Sequence, residues 1–243
     1  QMCIRDRKKV MYSLLAAGFF CSIGIASTAV AAVASEKVIN GDMPSGLETN
    51  TEYVNITGGS RITGTVKVIN DANYQTGAHG SAFSIQTDGQ VIFDGDGDVE
   101  IRTYNDDSYA HTNAIKLHND GASLLVDKAG HSVTLALDAA GGQSTKYDEV
   151  AGIYLTNNNQ NVVINADNVN FENNGYNRGY GIWTGASAVD SIITINGNAN
   201  FSDDAAAKEA YAIRHDHGTT VINGNTTVSY THLRAHETSL HLV

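Results

Sequence analysis

Four residues at one offset of a repeated phrase carry the most suggestive chemistry in the chain: Lys116, Tyr154, Trp183 and Arg214. The phrase is a small residue, an apolar one, any residue, then another apolar one. It reads Ala82-Phe83-Ser84-Ile85, Ala114-Ile115-Lys116-Leu117, Gly152-Ile153-Tyr154-Leu155, Gly181-Ile182-Trp183-Thr184 and Ala212-Ile213-Arg214-His215, with starts 32, 38, 29 and 31 residues apart. If each copy is a strand, its third residue points away from the apolar side. The column Ser84, Lys116, Tyr154, Trp183, Arg214 then faces outward. Strand neighbours lie ~4.8 Å apart, so the last four would form an exposed ladder about 15 Å long. Cations beside aromatics make a platform for sugar rings or a peptide. The plain alternative is that outward positions vary freely and one copy drew the only tryptophan.

Two further groupings have simpler readings. Asp94-Gly95-Asp96-Gly97-Asp98 opens like a calcium loop, but that pattern needs glycine sixth and glutamate twelfth. Val99 and Asn105 stand there, so an acidic turn is the expectation. His215-Asp216-His217 puts two imidazoles on one strand face, yet zinc needs a third and fourth ligand that no neighbouring copy supplies. His215 falls in the column of Leu117 and Leu155 and reads as a capping or half-buried residue. There is no Gly-x-Ser-x-Gly, His-Glu-x-x-His or phosphate-binding glycine loop. No metal site, cofactor or catalytic residue is expected.

The elements that must position these residues follow from what comes after each phrase. A second apolar run ends in Asp or Asn: Val91-Ile92-Phe93-Asp94, Leu124-Leu125-Val126-Asp127, Val162-Val163-Ile164-Asn165, Ile193-Thr194-Ile195-Asn196, Val221-Ile222-Asn223. Val68-Ile69-Asn70 reads as an earlier copy. A turn follows, then a third run such as Val99-Glu100-Ile101, Val133 to Leu137, Val169-Asn170-Phe171 or Ala199-Asn200-Phe201. Three short strands cannot bury a face alone; stacked repeat on repeat, they enclose one apolar axis. The predicted fold is an all-β right-handed parallel β-helix, pectin-lyase-like, with about 30 residues per coil. Phe83, Ile115, Ile153, Ile182 and Ile213 would form one interior column, and Asp94, Asp127, Asn165, Asn196 and Asn223 a hydrogen-bonded corner, where asparagine tolerates a left-handed turn. Asn-Gly turns keep an antiparallel sandwich as the runner-up. Length varies in the polar segments 104–113, 138–151, 172–180 and 202–211, which should leave one corner together.

Both termini read as foreign to the repeat. Residues 1–7 resemble one translation frame of the transposase end sequence used in sequencing libraries, and 228–243 resemble its reverse complement read into an adapter. Lys8 and Lys9 precede an uncharged run, Val10 to Val33, ending Ala32-Val33-Ala34. That is the layout of a secretory signal peptide over 8–34; a membrane anchor is the alternative. The mature stretch 35–227 then contains no cysteine, so disulfides do not hold it. It has 24 Asp and Glu against 10 Lys and Arg, a net charge of −14 (10 − 24), and 23 asparagines. An acidic surface without a basic stripe argues against nucleic acid as a partner.

With a signal peptide, a cysteine-free acidic body and β-coils turning on Asn and Gly, the chain resembles the N-terminal passenger of a bacterial autotransporter adhesin over residues 8–227. The resemblance implies export to the cell surface or outer membrane, or secretion. The passenger itself would stay outside the membrane, tethered by a C-terminal outer-membrane barrel beyond this sequence. It implies an adhesin or stalk that binds host or bacterial surface glycans or proteins without catalysis. The competing class is a secreted polysaccharide lyase or hydrolase of pectin-lyase-like fold, and a ligand-free surface spacer is a third.

Overall fold

The computed structural model describes residues 35–70, 81–105, 113–139, 150–176, 178–203 and 211–230. The signal-like segment and most of the polar segments of variable length lie outside them. In chain order the strands begin with β1 (Ser35–Ile39), β2 (Leu47–Thr49), β3 (Glu52–Ile56), β4 (Ser60–Thr63), β5 (Val66–Asn70) and β6 (Ser81–Ile85). Next come β7 (Gln90–Asp94), β8 (Val99–Asn105), β9 (Asn113–Leu117), β10 (Ser123–Ala139), β11 (Val150–Leu155) and β12 (Asn161–Asn174). The last are β13 (Gly179–Thr184), β14 (Ile192–Asp203), β15 (Tyr211–His215), β16 (Thr219–Ile222) and β17 (Thr226–Tyr230). No helix occurs among the described residues.

The strands form two sheets, and every strand pairing among the described residues is parallel. That rules out the antiparallel sandwich. One sheet runs β1-β3-β6-β9-β11-β13-β15 and contains the repeated phrase. The other is built from two ladders. β4 and β7 continue into the first halves of β10, β12 and β14, and β2, β5 and β8 into their second halves. Register shifts between Lys128 and Ser132, and between Asn165 and Asn168, mark where the long strands bend. The turn expected between second and third runs is, in these repeats, a bend within one strand.

The assignment of Val68-Ile69-Asn70 to the second run is corrected. Val66, Val68 and Asn70 pair with Val99, Ile101 and Thr103, so β5 belongs to the third ladder. The true second-run copy is Ser60–Thr63, paired with Val91–Asp94. Two earlier copies of the first strand also exist, β1 and β3, joined through Val54↔Phe83 and Lys37↔Val54.

Burial explains the phrase. Phe83, Ile115, Ile153 and Ile182 are fully buried in one apolar cluster that runs through the repeats, and Ile213 packs partly against it. Ala82 and Ala114 are buried in the same cluster, although they directly precede Phe83 and Ile115. The cross-strand register skips them along with Gly152, Gly181 and Ala212. Each of these five strands therefore bends so that two consecutive residues face inward, and the first must be small. A Cβ on Gly152 would lie 2.7 Å from the Phe171 ring; one on Gly181 would lie 2.3 Å from that of Phe201.

The polar corner is a hydrogen-bonded row. Asn165 donates to Asp127 at 3.3 Å, Asn196 to Asn165 at 2.7 Å and Asn223 to Asn196 at 2.8 Å. Two further rows accompany it. Asn198 donates to Asn168, and Asn200 to Asn170, which donates to Thr134. The row residues are not in the left-handed region; among the described non-glycine residues that conformation belongs to Asn159 and Asp190, in the turn before the second run. Asn196→Ala removes one bond to each neighbour on an exposed row, so a loss of about 1 kcal/mol is expected, read as a lowered urea midpoint.

Val228–Tyr230, read above as adapter-like, form the end of β17 and pair with Phe201–Asp203.

Candidate functional site

The phrase fixes parity, and parity brings the four candidate residues into line. Ser84 pairs with Lys116, Lys116 with Tyr154, Tyr154 with Trp183 and Trp183 with Arg214. Their side chains form a continuous pile. The Lys116 ammonium lies 5.6 Å from the centre of the Tyr154 ring, which stacks on Trp183 at 4.1 Å and 13°. The Arg214 guanidinium lies 4.8 Å from the Trp183 ring and 5.2 Å from that of Tyr180. Burial pushes the Lys116 ammonium below its ordinary pKa.

One expectation fails here. The ladder is not an exposed aromatic platform at its centre, because Trp183 is only 5% exposed. β11 and β15 flank β13 on opposite sides, so Tyr154 covers one face of the indole and Arg214 the other. Its Nε1 donates to Asp216 at 3.2 Å, and Asp216 also accepts from Arg214 Nε at 3.3 Å. Arg214 donates to the Tyr180 hydroxyl at 2.9 Å. Ala151, Tyr180 and Trp183, with Tyr154 packed on them, thus make a small apolar cluster outside the main core. A sugar ring stacks on a free aromatic face, and the indole has none. What remains accessible is the rim: half-buried Lys116, Tyr154 and Arg214, and Tyr211, which is 52% exposed and stacks on Tyr180 at 5.9 Å.

Both histidines of the pair contact Thr184, His217 through its main-chain carbonyl. His215 pairs with Thr184 on the edge strand and its Nδ1 lies 2.7 Å from the Thr184 hydroxyl. Asp216, between the two histidines, is engaged by Trp183 and Arg214. Among the described residues no three His, Cys, Asp or Glu side chains are grouped to hold a metal ion.

The sequence reading missed a second outward cluster, on the third ladder. Arg102 donates to Glu100 at 2.6 Å, to Asp138 at 3.3 Å and to Glu172 at 3.2 Å; Lys67 lies 3.1 Å from Glu100. The members come from four successive repeats, so no local spacing reveals them. Their only signal is the outward parity of each within its own third run. The hydrogen bond from Arg102 holds the Glu100 carboxyl below its ordinary pKa of 4.5, against the opposing effect of burial. Burial also works against the Arg102 charge, but the Glu100 hydrogen bond and the charges of Asp138 and Glu172 outweigh it and raise its pKa. Of the three carboxylates that converge on this guanidinium, Glu100 is the one whose charged form Arg102 favours, a poor state for a general acid.

Compared with protein-family models, curated proteins and solved structures, the chain matches none of them.

Proposed function

We propose that the described residues are a length of right-handed parallel β-helix and that the chain is a non-catalytic surface or secreted passenger of the autotransporter type. In this reading it acts as a stalk that binds a glycan or protein through the rim of the Lys116–Tyr154–Trp183–Arg214 pile. The observation that carries the reading is the three parallel ladders in common register, with a repeat near 30 residues. Parallel strands joined by crossovers are right-handed almost without exception, which supports the hand. The pile supplies an outward rib made rigid by its own stacking, with cations and Tyr211 left at the rim.

The experiment applies the full chain to arrayed host and bacterial surface glycans, then repeats it with Lys116→Ala and Tyr211→Ala. Binding lost in both variants, with unchanged thermal midpoints, is the expected adhesin result. Binding that both variants retain removes the rim from the site, and no binding at all leaves a stalk. Recovery of the complete reading frame tests the export reading through the presence of a C-terminal outer-membrane barrel.

A polysaccharide-acting enzyme is the second reading, favoured by one observation: Glu100, Asp138 and Glu172 gather with Arg102 and Lys67 on one outward face. Release of reducing ends or unsaturated products from a polysaccharide would establish it.

A further inference from the structure

The acidic turn at Asp94–Asp98 already has an occupant. Lys128, on β10, is 1% exposed, one of the largest fully buried side chains. Its ladder position is held by Ala166 in the next repeat, so nothing in the repeat asks for a lysine. The side chain runs back along the stack instead of outward. Its Nζ donates to the Gly64 carbonyl at 2.6 Å, the Asp94 carbonyl at 2.8 Å and the Gly95 carbonyl at 3.0 Å. These oxygens come from the two preceding repeats, so one ammonium joins three. Gly64 and Gly95 have φ of 106° and 72°, a conformation side chains resist. A lysine ammonium has three donors and no acceptor, and here all three are satisfied by main-chain oxygens. Burial pushes the Lys128 ammonium below its ordinary pKa, and the carboxylates of Asp94, Asp96 and Asp98 oppose that with a favourable field.

We propose that this turn is a cation site of ammonium or potassium size and that Lys128 fills it in cis, in place of a metal ion. Calcium takes oxygens at 2.3–2.6 Å; these carbonyls stand 2.6 to 3.0 Å from the ammonium nitrogen that occupies the cradle. Neutral main-chain carbonyls are also the ligands that suit a weakly hydrated monovalent ion. The calcium-like sequence of the turn is thus answered by a tethered charge, and the turn keeps its shape whatever ions the medium holds.

The test compares thermal unfolding of the full chain and its Lys128→Ala variant in potassium, sodium and tetramethylammonium chloride at one ionic strength, and in calcium chloride. The expected result is a wild-type midpoint that is the same in every salt. The Lys128→Ala midpoint is lowered in tetramethylammonium, raised by several degrees in potassium, and raised less in sodium. Equal variant midpoints in potassium and tetramethylammonium overturn the proposal. So does rescue by calcium alone, which would place the ion on the carboxylates, and so does a wild-type midpoint that rises with calcium or potassium. Lys128→Gln keeps the reach without the charge and guards against failure of the alanine variant to fold. It is expected to unfold below wild type and to ignore potassium; a wild-type midpoint for it overturns the proposal.

Discussion

Gly152→Ala is expected to destabilise the chain by about 2 to 3 kcal/mol, far more than one methyl group ordinarily costs, because the core here has no room to give. The new Cβ would meet the Phe171 ring at 2.7 Å and the Gly181 carbonyl oxygen at 2.7 Å. The ring cannot retreat freely, since it stacks on Phe201 at 4.7 Å and 6°. The same position is alanine in the repeats of Ala82 and Ala114, where the third ladder offers Ile101 and Leu135 in the column of Phe171. Small residue and opposing side chain therefore trade volume across the core. Phe171→Leu in the Gly152→Ala background is expected to recover at least 1 kcal/mol relative to the sum of the single changes, a coupling of the size seen for residues in contact. Urea unfolding of the two single variants and the double variant measures it; strict additivity would sink the account.

Arg102→Gln is the second large effect, and it depends on pH. At pH 7 the change leaves Glu100, Asp138 and Glu172 facing one another without the guanidinium that binds all three. Charge-assisted bonds count for about 1.5–3 kcal/mol. Solvent reaches Arg102 and the two glutamates, so the expected loss is about 2 kcal/mol. The sign follows from linkage. The Glu100 pKa is lower in the folded chain than its ordinary 4.5. Its contribution is therefore complete above that value and disappears as pH falls through the folded one. Wild type and variant should differ most at neutral pH and converge in acid. Urea midpoints of both proteins at pH 7, 5 and 3 decide the matter; a constant gap would mean that the guanidinium acts by packing alone.

Much of the architecture was legible because two periods coincide in this sequence. The strand period of two fixed which residues face inward, and the repeat near 30 fixed which of them stack. Together they aligned Lys116, Tyr154, Trp183 and Arg214 without any structure. Coverage is a different property from parity. Trp183 points outward, yet the residues one strand away on either side are a tyrosine stacked on the indole and an arginine whose guanidinium lies over it. The first repeats escaped notice for a local reason. Tyr53 stands before Val54 where later copies have Ala or Gly, and Ser60–Thr63 alternates apolar with polar too briefly to register. Lys128 was invisible because its partners are main-chain carbonyls, which leave no trace in residue types. The Arg102 cluster was invisible because its partners lie up to 70 residues away.

The asparagine rows have a consequence beyond the bonds they contribute. A slip of one residue between neighbouring strands would turn every inward side chain to solvent. It would also place Asn165, Asn196 and Asn223, and Asn168 with Asn198, opposite groups that cannot complete an amide row. The alignment is thus written twice, once in grease on the inside and once in amides on the outside. The second copy acts as a parity check, penalising a misaligned repeat even while its apolar residues still find something to touch.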